Sequence, residues 1–201
     1  TESLELEPGL AESWEQVDDT TWIFNIRDGV TFHDGSALTA SDVVYTLNRL
    51  RDPATGAPAA FIVGFISNLE AVDDSTVRLT TNAPFAPLLA HLSHTATSIL
   101  SEAAVEAAGE DYGTTVVVGT GPFKFVSWQT AAQIVLERND NWWGGEVLPA
   151  EIVFRPIIEG TVRAIELEAG GIDIAYALEP RDYLRLVQEN NPRVVVDEIE
   201  T

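Results

Sequence analysis

Two histidines have the spacing that most directly suggests chemistry. His91 and His94 stand three positions apart, so in a helix both imidazoles would point to one side and could hold a metal ion. No HExxH pattern surrounds them, and packing is the commoner role for such a pair. The chain contains no cysteine, so thiolate ligands and a cysteine nucleophile are excluded. We therefore predict neither a metal site nor a cofactor.

The chain lacks the residue patterns of catalytic centres. Acidic residues number 32 among 201, so apparent carboxylate pairs arise by chance and identify no acid–base pair. There is no GxSxG elbow and no evident order of serine, histidine and aspartate. Gly119-Thr120-Gly121 lacks the GxxxxGKS/T spacing of a phosphate loop, and strand-like alternation follows it where a helix would be needed. We predict a tight turn there, no catalytic residue and no enzymatic activity.

Aromatic and cationic residues offer two further candidate binding groups. Trp142-Trp143, in a glycine-rich stretch, could stack on a sugar or peptide, or could pin the loop to the strand layer, which is the more ordinary role. Arg138 and Arg155 fall in predicted strands, and each could bind a ligand carboxylate through two hydrogen bonds. In so acidic a chain we expect both arginines to pair with a nearby aspartate or glutamate instead.

The charge of the chain limits its partners. The formal net charge is −21 and Lys124 is the single lysine, so the surface repels nucleic-acid phosphates and anionic lipid headgroups. We predict no nucleic-acid partner. We interpret the charge as a surface adapted for solubility, for instance in a saline habitat; attraction of cationic ligands is the alternative. Hydrophobic residues make up 45% of the chain, enough for a core, and no apolar run approaches the roughly 18 residues that span a bilayer.

Residues 10–50 hold the elements around which the first half is organised. Trp22, Phe24 and Ile26 alternate with residues of the opposite face, which predicts a half-buried strand. Asp28-Gly29 predicts a turn, and a second short strand is expected at Val30 and Phe32.

A helix is predicted to follow. Thr39 is its expected N-cap and the acidic Asp42 suits its first turn. Val43, Leu47 and Leu50 make its inward stripe. Beyond it the sequence predicts a hairpin of strands 66–72 and 76–81, and a helix over 101–108 that Ser101 caps.

The second half predicts alternating strands and helices, the pattern of an α/β layer. We expect strand 151–157, helix 161–168, strand 172–176, a helix beginning at Pro180, and strand 194–196. Leu184 and Val187 are predicted to face inward from the last helix. The first half is more α+β in character, and we place the domain boundary near residue 115.

Several ordered motifs resemble one protein family. W-x-F-x-I-R-D-G-V-x-F-H-D-G over residues 22–35 and L-T-A-x-D-V-V-Y-T-L-N-R-L-x-D-P over 38–53 are similar to the family 5 extracytoplasmic solute-binding proteins, the dipeptide, oligopeptide and nickel receptors of ABC importers. GTGPFKFVSW, IVLERNDNWWGG and VFRPI-x5-RAIELEAGGIDI, over residues 119–174, carry the same resemblance into the second half.

The resemblance implies a periplasmic-binding-protein-like fold of type II, α/β with α+β parts. Residues 1–115 would form the small inserted domain, and 116–201 part of the first lobe leading to the hinge. The second lobe would be absent, so the chain would be a fragment of a longer protein and one side of a clamp. The implied function is extracytoplasmic capture of a solute, by default a peptide, by lobe closure and its delivery to an ABC permease.

The family also implies where the solute would bind. The stretches 59–64 and 94–99 resemble cleft-side segments, and they offer Phe61 and Thr97 as ligand-binding residues. Neither stretch contains an arginine, which argues against a nickel-chelate mode. We expect a monomer, either periplasmic or anchored at the cell surface as a lipoprotein. The alternative is a ligand-sensing module of a transcriptional regulator.

Overall fold

The computed structural model describes residues 5–189 of the chain. These residues divide into two compact units. The first comprises residues up to Trp128 together with Val135–Ile152, and the second comprises Gln129–Ile134 with the residues from Val153 onward. The boundary near residue 115 concerns domains of the whole protein and stays a prediction. Among the described residues, no helix combines the length and apolar character needed to cross a membrane.

A four-stranded antiparallel sheet organises the first unit. Its strands are β1 (Ala11–Gln16), β2 (Thr21–Ile26), β3 (Ile66–Asp73) and β4 (Thr76–Thr81), in the order β1-β2-β4-β3. The hairpin predicted for the last two strands is confirmed.

The alternation predicted for β2 is also confirmed. Phe24 and Ile26 are buried and the intervening Asn25 is exposed. The second short strand predicted at Val30 and Phe32 is wrong. Both residues are buried, but the segment makes a single bridge, between Thr31 and Ala37, because turns at Asp28-Gly29 and Asp34-Gly35 leave no room for a ladder.

Helix α1 (Ala40–Arg51) packs its predicted stripe into the core. Val43 and Leu47 are buried and Leu50 is partly buried against the core. At the N-terminus of the helix, the Asp42 carboxylate accepts hydrogen bonds from the Thr39 N–H at 3.0 Å and from the Thr39 hydroxyl at 2.9 Å. The helix start is therefore held by a carboxylate that lies at the positive end of the helix dipole.

Two shorter helices complete the first unit's helical layer. They are α2 (Leu88–Leu92) and α3 (Glu102–Ala108). Ser101 caps α3 as predicted, because its hydroxyl oxygen accepts from the Ala104 N–H at 3.2 Å. Leu88 is fully buried and joins α2 to the core.

A three-stranded sheet follows, in the order β5-β6-β7. Its strands are β5 (Phe123–Gln129), β6 (Gln133–Arg138) and β7 (Glu151–Phe154). The turn between the first two is closed by the Ala132 N–H donating to the Gln129 carbonyl at 2.9 Å. Strand β7 is shorter than the predicted 151–157.

The second unit contains helices α4 (Gly160–Ala169) and α5 (Pro180–Glu189), and α5 begins at Pro180 as predicted. The strand predicted at 172–176 is wrong: no described strand covers these residues. The strand predicted at 194–196 lies outside the described residues.

The prediction that Leu184 and Val187 face inward is wrong as well. They are 55% and 48% exposed, whereas Leu186 is 2% exposed. The inward side of α5 is instead fixed by polar contacts with α4: the Thr161 hydroxyl donates to the buried Asp182 at 3.0 Å, and Arg185 pairs with Glu168. Asp182 and Leu186 lie one turn apart on that side.

Candidate functional site

Phe61 is presented to solvent by a short helical turn. It lies in the 3-10 helix Ala60–Val63 and is 77% exposed, while the next two residues, Ile62 and Val63, are buried in the core. The turn is closed by the Gly64 N–H donating to the Phe61 carbonyl at 3.2 Å. Two anchored neighbours thus hold out one exposed aromatic ring, a group suited to stacking or apolar contact with a ligand.

The turn is followed by an aromatic pair. Phe65 and Phe85 stack with ring centroids 4.5 Å apart. Asn82 donates hydrogen bonds to two successive residues. Its backbone N–H donates to the Phe65 carbonyl at 2.9 Å, and its side-chain amide donates to the Gly64 carbonyl at 3.2 Å. The far end of the turn is therefore fixed to the residues that follow β4.

Thr97 lies in a different environment from Phe61. It is 5% exposed, in the 3-10 helix Thr95–Thr97, and its hydroxyl donates to the carbonyls of Leu92 at 2.8 Å and His94 at 2.6 Å. Its hydroxyl proton is therefore committed within the chain. Thr97 lines a pocket to which Phe61 does not contribute, so the structure does not bring the two predicted contact residues together in that pocket. Their role as ligand contacts stays a prediction.

That pocket has a volume of about 430 Å³ and a mainly apolar lining. Side chains from separate parts of the first unit form its wall, among them Trp14, Phe24, Leu79, Leu89, Leu92 and Ile99. Sequence reasoning missed the pocket. The only local signal was the helical spacing of the leucines of α2, because the remaining residues meet only after the sheet and helices have packed.

The segment Gly119-Thr120-Gly121 leads into strand β5 through a bend that begins at Thr120. Trp143 holds it in place: its indole N–H donates to the Thr120 carbonyl at 3.1 Å, and the Arg27 guanidinium lies 4.9 Å from its ring centroid. Trp143 thereby ties its own glycine-rich loop to the segment that leads into β5, the ordinary role that was expected of the Trp142-Trp143 pair.

His33 joins the same segment by ring hydrogen bonds. Its Nδ1 accepts from the Gly119 N–H at 3.3 Å, so Nε2 carries the proton that is donated to the Gly121 carbonyl at 3.0 Å. The neighbouring Asp34 carboxylate accepts from the Ser36 amide at 2.9 Å and from the Ser36 hydroxyl at 2.7 Å. Burial raises the pKa of Asp34, but those hydrogen bonds outweigh it and the pKa is lowered overall.

The remaining charged candidates serve structural contacts. Arg138 pairs with Asp140 at 2.7 Å, and Arg155 lies 3.6 Å from Glu166 and donates to the Gly171 carbonyl at 3.1 Å. Pairing with acidic residues, which we expected for both arginines, is confirmed.

The two histidines singled out by their spacing have separate partners. His91 Nδ1 lies 2.8 Å from the Ile62 carbonyl oxygen, and His94 Nδ1 accepts from the Ala96 N–H at 3.0 Å. Within residues 5–189 no group of three or more histidine, aspartate or glutamate side chains could hold a metal ion.

The fold and sequence place the chain in a class of binding proteins. The chain belongs to the bacterial extracellular solute-binding proteins of family 5, whose middle-region model matches residues 5–200. The fold is therefore that of part of a type II periplasmic binding protein. Members of this family are transport receptors and not enzymes.

Individual relatives support this membership. The chain is 31% identical over 189 residues to the glutathione-binding protein GsiB of Pectobacterium atrosepticum, an alignment that covers 93% of this chain and 36% of that protein. The structure of MoaA from A. tumefaciens R10 with mannopinic acid matches with a TM-score of 0.89 at 32% identity, covering 98% of this chain and 41% of that one.

A second solved structure gives the same result. DppA of Helicobacter pylori, in complex with the peptide STSA, matches with a TM-score of 0.85 at 31% identity, covering 96% of this chain and 42% of that one. The chain thus spans about two fifths of the length of the proteins it matches.

Proposed function

We propose that this chain is part of the solute-binding receptor of an ABC importer, which captures a peptide or a similarly small polar solute and delivers it to a membrane permease. The observation that carries the proposal is family membership over residues 5–200. The relatives and structures reported above are all binding proteins, which favours a transport receptor over the alternative of a regulator's sensing module.

The class of solute is proposed from the ligands of the relatives. GsiB is a glutathione-binding protein and DppA is complexed with a tetrapeptide, and these support a short peptide. MoaA is complexed with mannopinic acid, so other small polar solutes share the scaffold. A peptide is the solute we propose first.

Phe61 is the residue we propose as the solute contact on this side of the receptor. Its ring is exposed on a turn whose neighbours are buried, so it offers apolar surface without rearrangement of the core. Thr97 would contribute from the wall of the pocket, through its methyl group, because its hydroxyl already donates within the chain. Closure of a second lobe over the solute would exclude water from these contacts.

The same membership supports proposals for the location and the partners of the protein. The family is described as bacterial and extracellular, so we propose that the full-length protein works outside the cytoplasmic membrane, either free or held there by a lipid anchor. We propose that it acts as a monomer, with the permease as its protein partner. The net charge of −21 supports the absence of a nucleic-acid partner.

The test uses the full-length protein. A pooled library of tripeptides and tetrapeptides, including Ser-Thr-Ser-Ala, is screened by thermal shift, and the peptide with the largest shift is titrated by calorimetry. We expect saturable binding, and we expect the Phe61→Ala variant to bind about tenfold more weakly, because an exposed aromatic anchor is lost.

Two controls make the result specific. Val17→Ala removes an exposed apolar side chain elsewhere in the first unit and should leave the affinity unchanged. Phe61→Tyr keeps the ring and should retain most of it. Absence of binding by any library member would reject the peptide proposal, and equal affinity of Phe61→Ala and wild type would reject the contact.

A further inference from the structure

We infer that His91 is a positioning residue for solute binding: it fixes the turn that carries Phe61 and thereby sets the receptor's affinity. The inference rests on the proposed function. His91 belongs to α2 and does not need to touch the solute, since it acts on the backbone of the turn next to the exposed ring.

The hydrogen bond from His91 reaches the turn across 29 positions of sequence. His91 Nδ1 lies 2.8 Å from the Ile62 carbonyl oxygen. A carbonyl oxygen can only accept, so Nδ1 carries the proton and donates it. The accepting carbonyl belongs to the residue directly after Phe61, so the bond fixes the Ile62–Val63 peptide plane, one residue away from the ring.

The imidazole is itself held by aromatic neighbours. Its plane is nearly perpendicular to the rings of Phe65 and Phe85, at 83° and 84°, with centroid distances of 5.6 and 5.0 Å. These are edge-to-face contacts, the favoured geometry for such rings. Leu88 of the same helix is fully buried, so the helix that carries the donor is anchored in the core.

Ile62 and Val63 anchor the turn in the core, but the side chain of Phe61 adds no packing that would fix its own orientation. At 77% exposure its ring has few neighbours, and the side chain that reaches the other end of the turn is Asn82, at the Gly64 carbonyl. Loss of the His91 bond would leave the Ile62 carbonyl without this donor and would loosen the middle of the turn. The affinity of a preorganised contact falls when its orientation must be fixed on binding.

Three substitutions distinguish the effect of the hydrogen bond on binding from the effect of the ring's volume. His91→Asn places an amide N–H near the position of Nδ1, His91→Gln places it near that of Nε2, and His91→Leu has no donor. We expect His91→Leu to weaken binding of the peptide selected from the library by about tenfold. We expect His91→Gln to behave like His91→Leu, and His91→Asn to recover most of the affinity.

A double variant tests whether His91 acts through Phe61. In the Phe61→Ala background, His91→Leu should cause no further loss, because the contact it positions is already gone. Losses that multiply in the double variant, or wild-type affinity of His91→Leu, would overturn the inference. The inference would also be overturned if His91→Asn bound the peptide no more tightly than His91→Gln does.

Hydrogen exchange provides a readout that needs no solute. Amides of residues 60–66 should exchange faster in His91→Leu than in wild type, and His91→Asn should restore their protection, while the amides of β2 should be unaffected. If His91→Leu does not fold, the role of the hydrogen bond is tested by comparing the exchange of residues 60–66 in His91→Asn with that in His91→Gln. If no peptide binds, the proposed function fails while exchange still tests the turn; unchanged exchange rejects the role of His91 whatever the solute.

Discussion

The carboxylate of Asp42 joins two helices that lie sixty positions apart in the sequence. Its Oδ1 accepts a hydrogen bond from the Glu102 backbone N–H at 3.1 Å, at the first residue of α3, while Oδ2 accepts from Thr39 at the start of α1. Thr46 makes a second link one turn later, since its hydroxyl oxygen accepts from the Leu100 N–H at 3.0 Å. One side chain thus supplies acceptors to the beginnings of both helices.

Replacing Asp42 should destabilise the first unit. Asp42→Ala removes the cap of α1 and leaves the part-buried Glu102 N–H without its acceptor, so we expect a loss of about 2 to 3 kcal/mol in the free energy of unfolding. Asp42→Asn keeps one oxygen and should lose less. Urea denaturation followed by tryptophan fluorescence measures both, with the exposed Asp19→Ala as the control that should change little. Equal stabilities of Asp42→Ala and Asp19→Ala would contradict the shared-cap interpretation.

Gly144 should not tolerate a side chain. A Cβ atom there would lie 2.3 Å from Trp142 Cζ2 and 2.5 Å from Cη2, so the indole ring would have to leave its position. We expect Gly144→Ala to lower stability by about 1 to 3 kcal/mol, as overpacking does, and to shift the tryptophan emission. In Gly121→Ala the added Cβ meets no atom within 4 Å, and this variant should remain close to wild type in both measurements.

Acid should weaken the protein partly through the turns of its first sheet. Hydrogen bonds from the Thr20 backbone first, and then from Thr21, lower the pKa of Asp18, and those from Ser75 and Thr76 lower the pKa of Asp73. Because the folded-state pKa lies below the unfolded one, the stabilisation is complete above the unfolded pKa of about 3.9 and is lost as pH falls through the folded value.

Asparagine at these two positions separates charge from geometry. Asp18→Asn and Asp73→Asn each keep a side-chain oxygen that accepts the turn hydrogen bonds, but this oxygen does not titrate. The urea midpoint, measured from pH 6 down to pH 3, should therefore fall less steeply in the double variant than in wild type. Asp19→Asn, at the neighbouring exposed carboxylate, should keep the wild-type slope. A double variant with an unchanged slope would exclude the turns as a source of acid sensitivity.

Predictions from the sequence succeeded where the signal was local. The alternation in β2, the hydroxyl cap at Ser101 and the proline at the start of α5 are each set by neighbouring residues. The strand predicted at 172–176 had an equally good alternation but failed, because a strand needs a partner ladder and no described strand pairs with these residues. Leu184 and Val187 were misplaced for a related reason: polar contacts with α4 decided which side of α5 turns inward.

The candidate site was predictable only in part. The position of Phe61 came from a family resemblance, and neither its exposure nor the burial of Thr97 follows from residue type. The bond from His91 to Ile62 joins residues of two separate helical segments, so no periodicity or spacing in the sequence indicates it. The pocket wall is likewise made by residues that only tertiary packing brings together.

The strand order β1-β2-β4-β3 has a consequence for how the chain folds. Strands β1 and β2 are joined by a short turn, as are β3 and β4, and such hairpins form within microseconds. The central pairing of β2 with β4 spans everything from residue 27 to residue 75, including α1. Non-local pairing of this kind is slow because the intervening loop must first be closed. The edge of β2 that faces β4 therefore stays unpaired until the chain through Thr81 is available to complete the sheet.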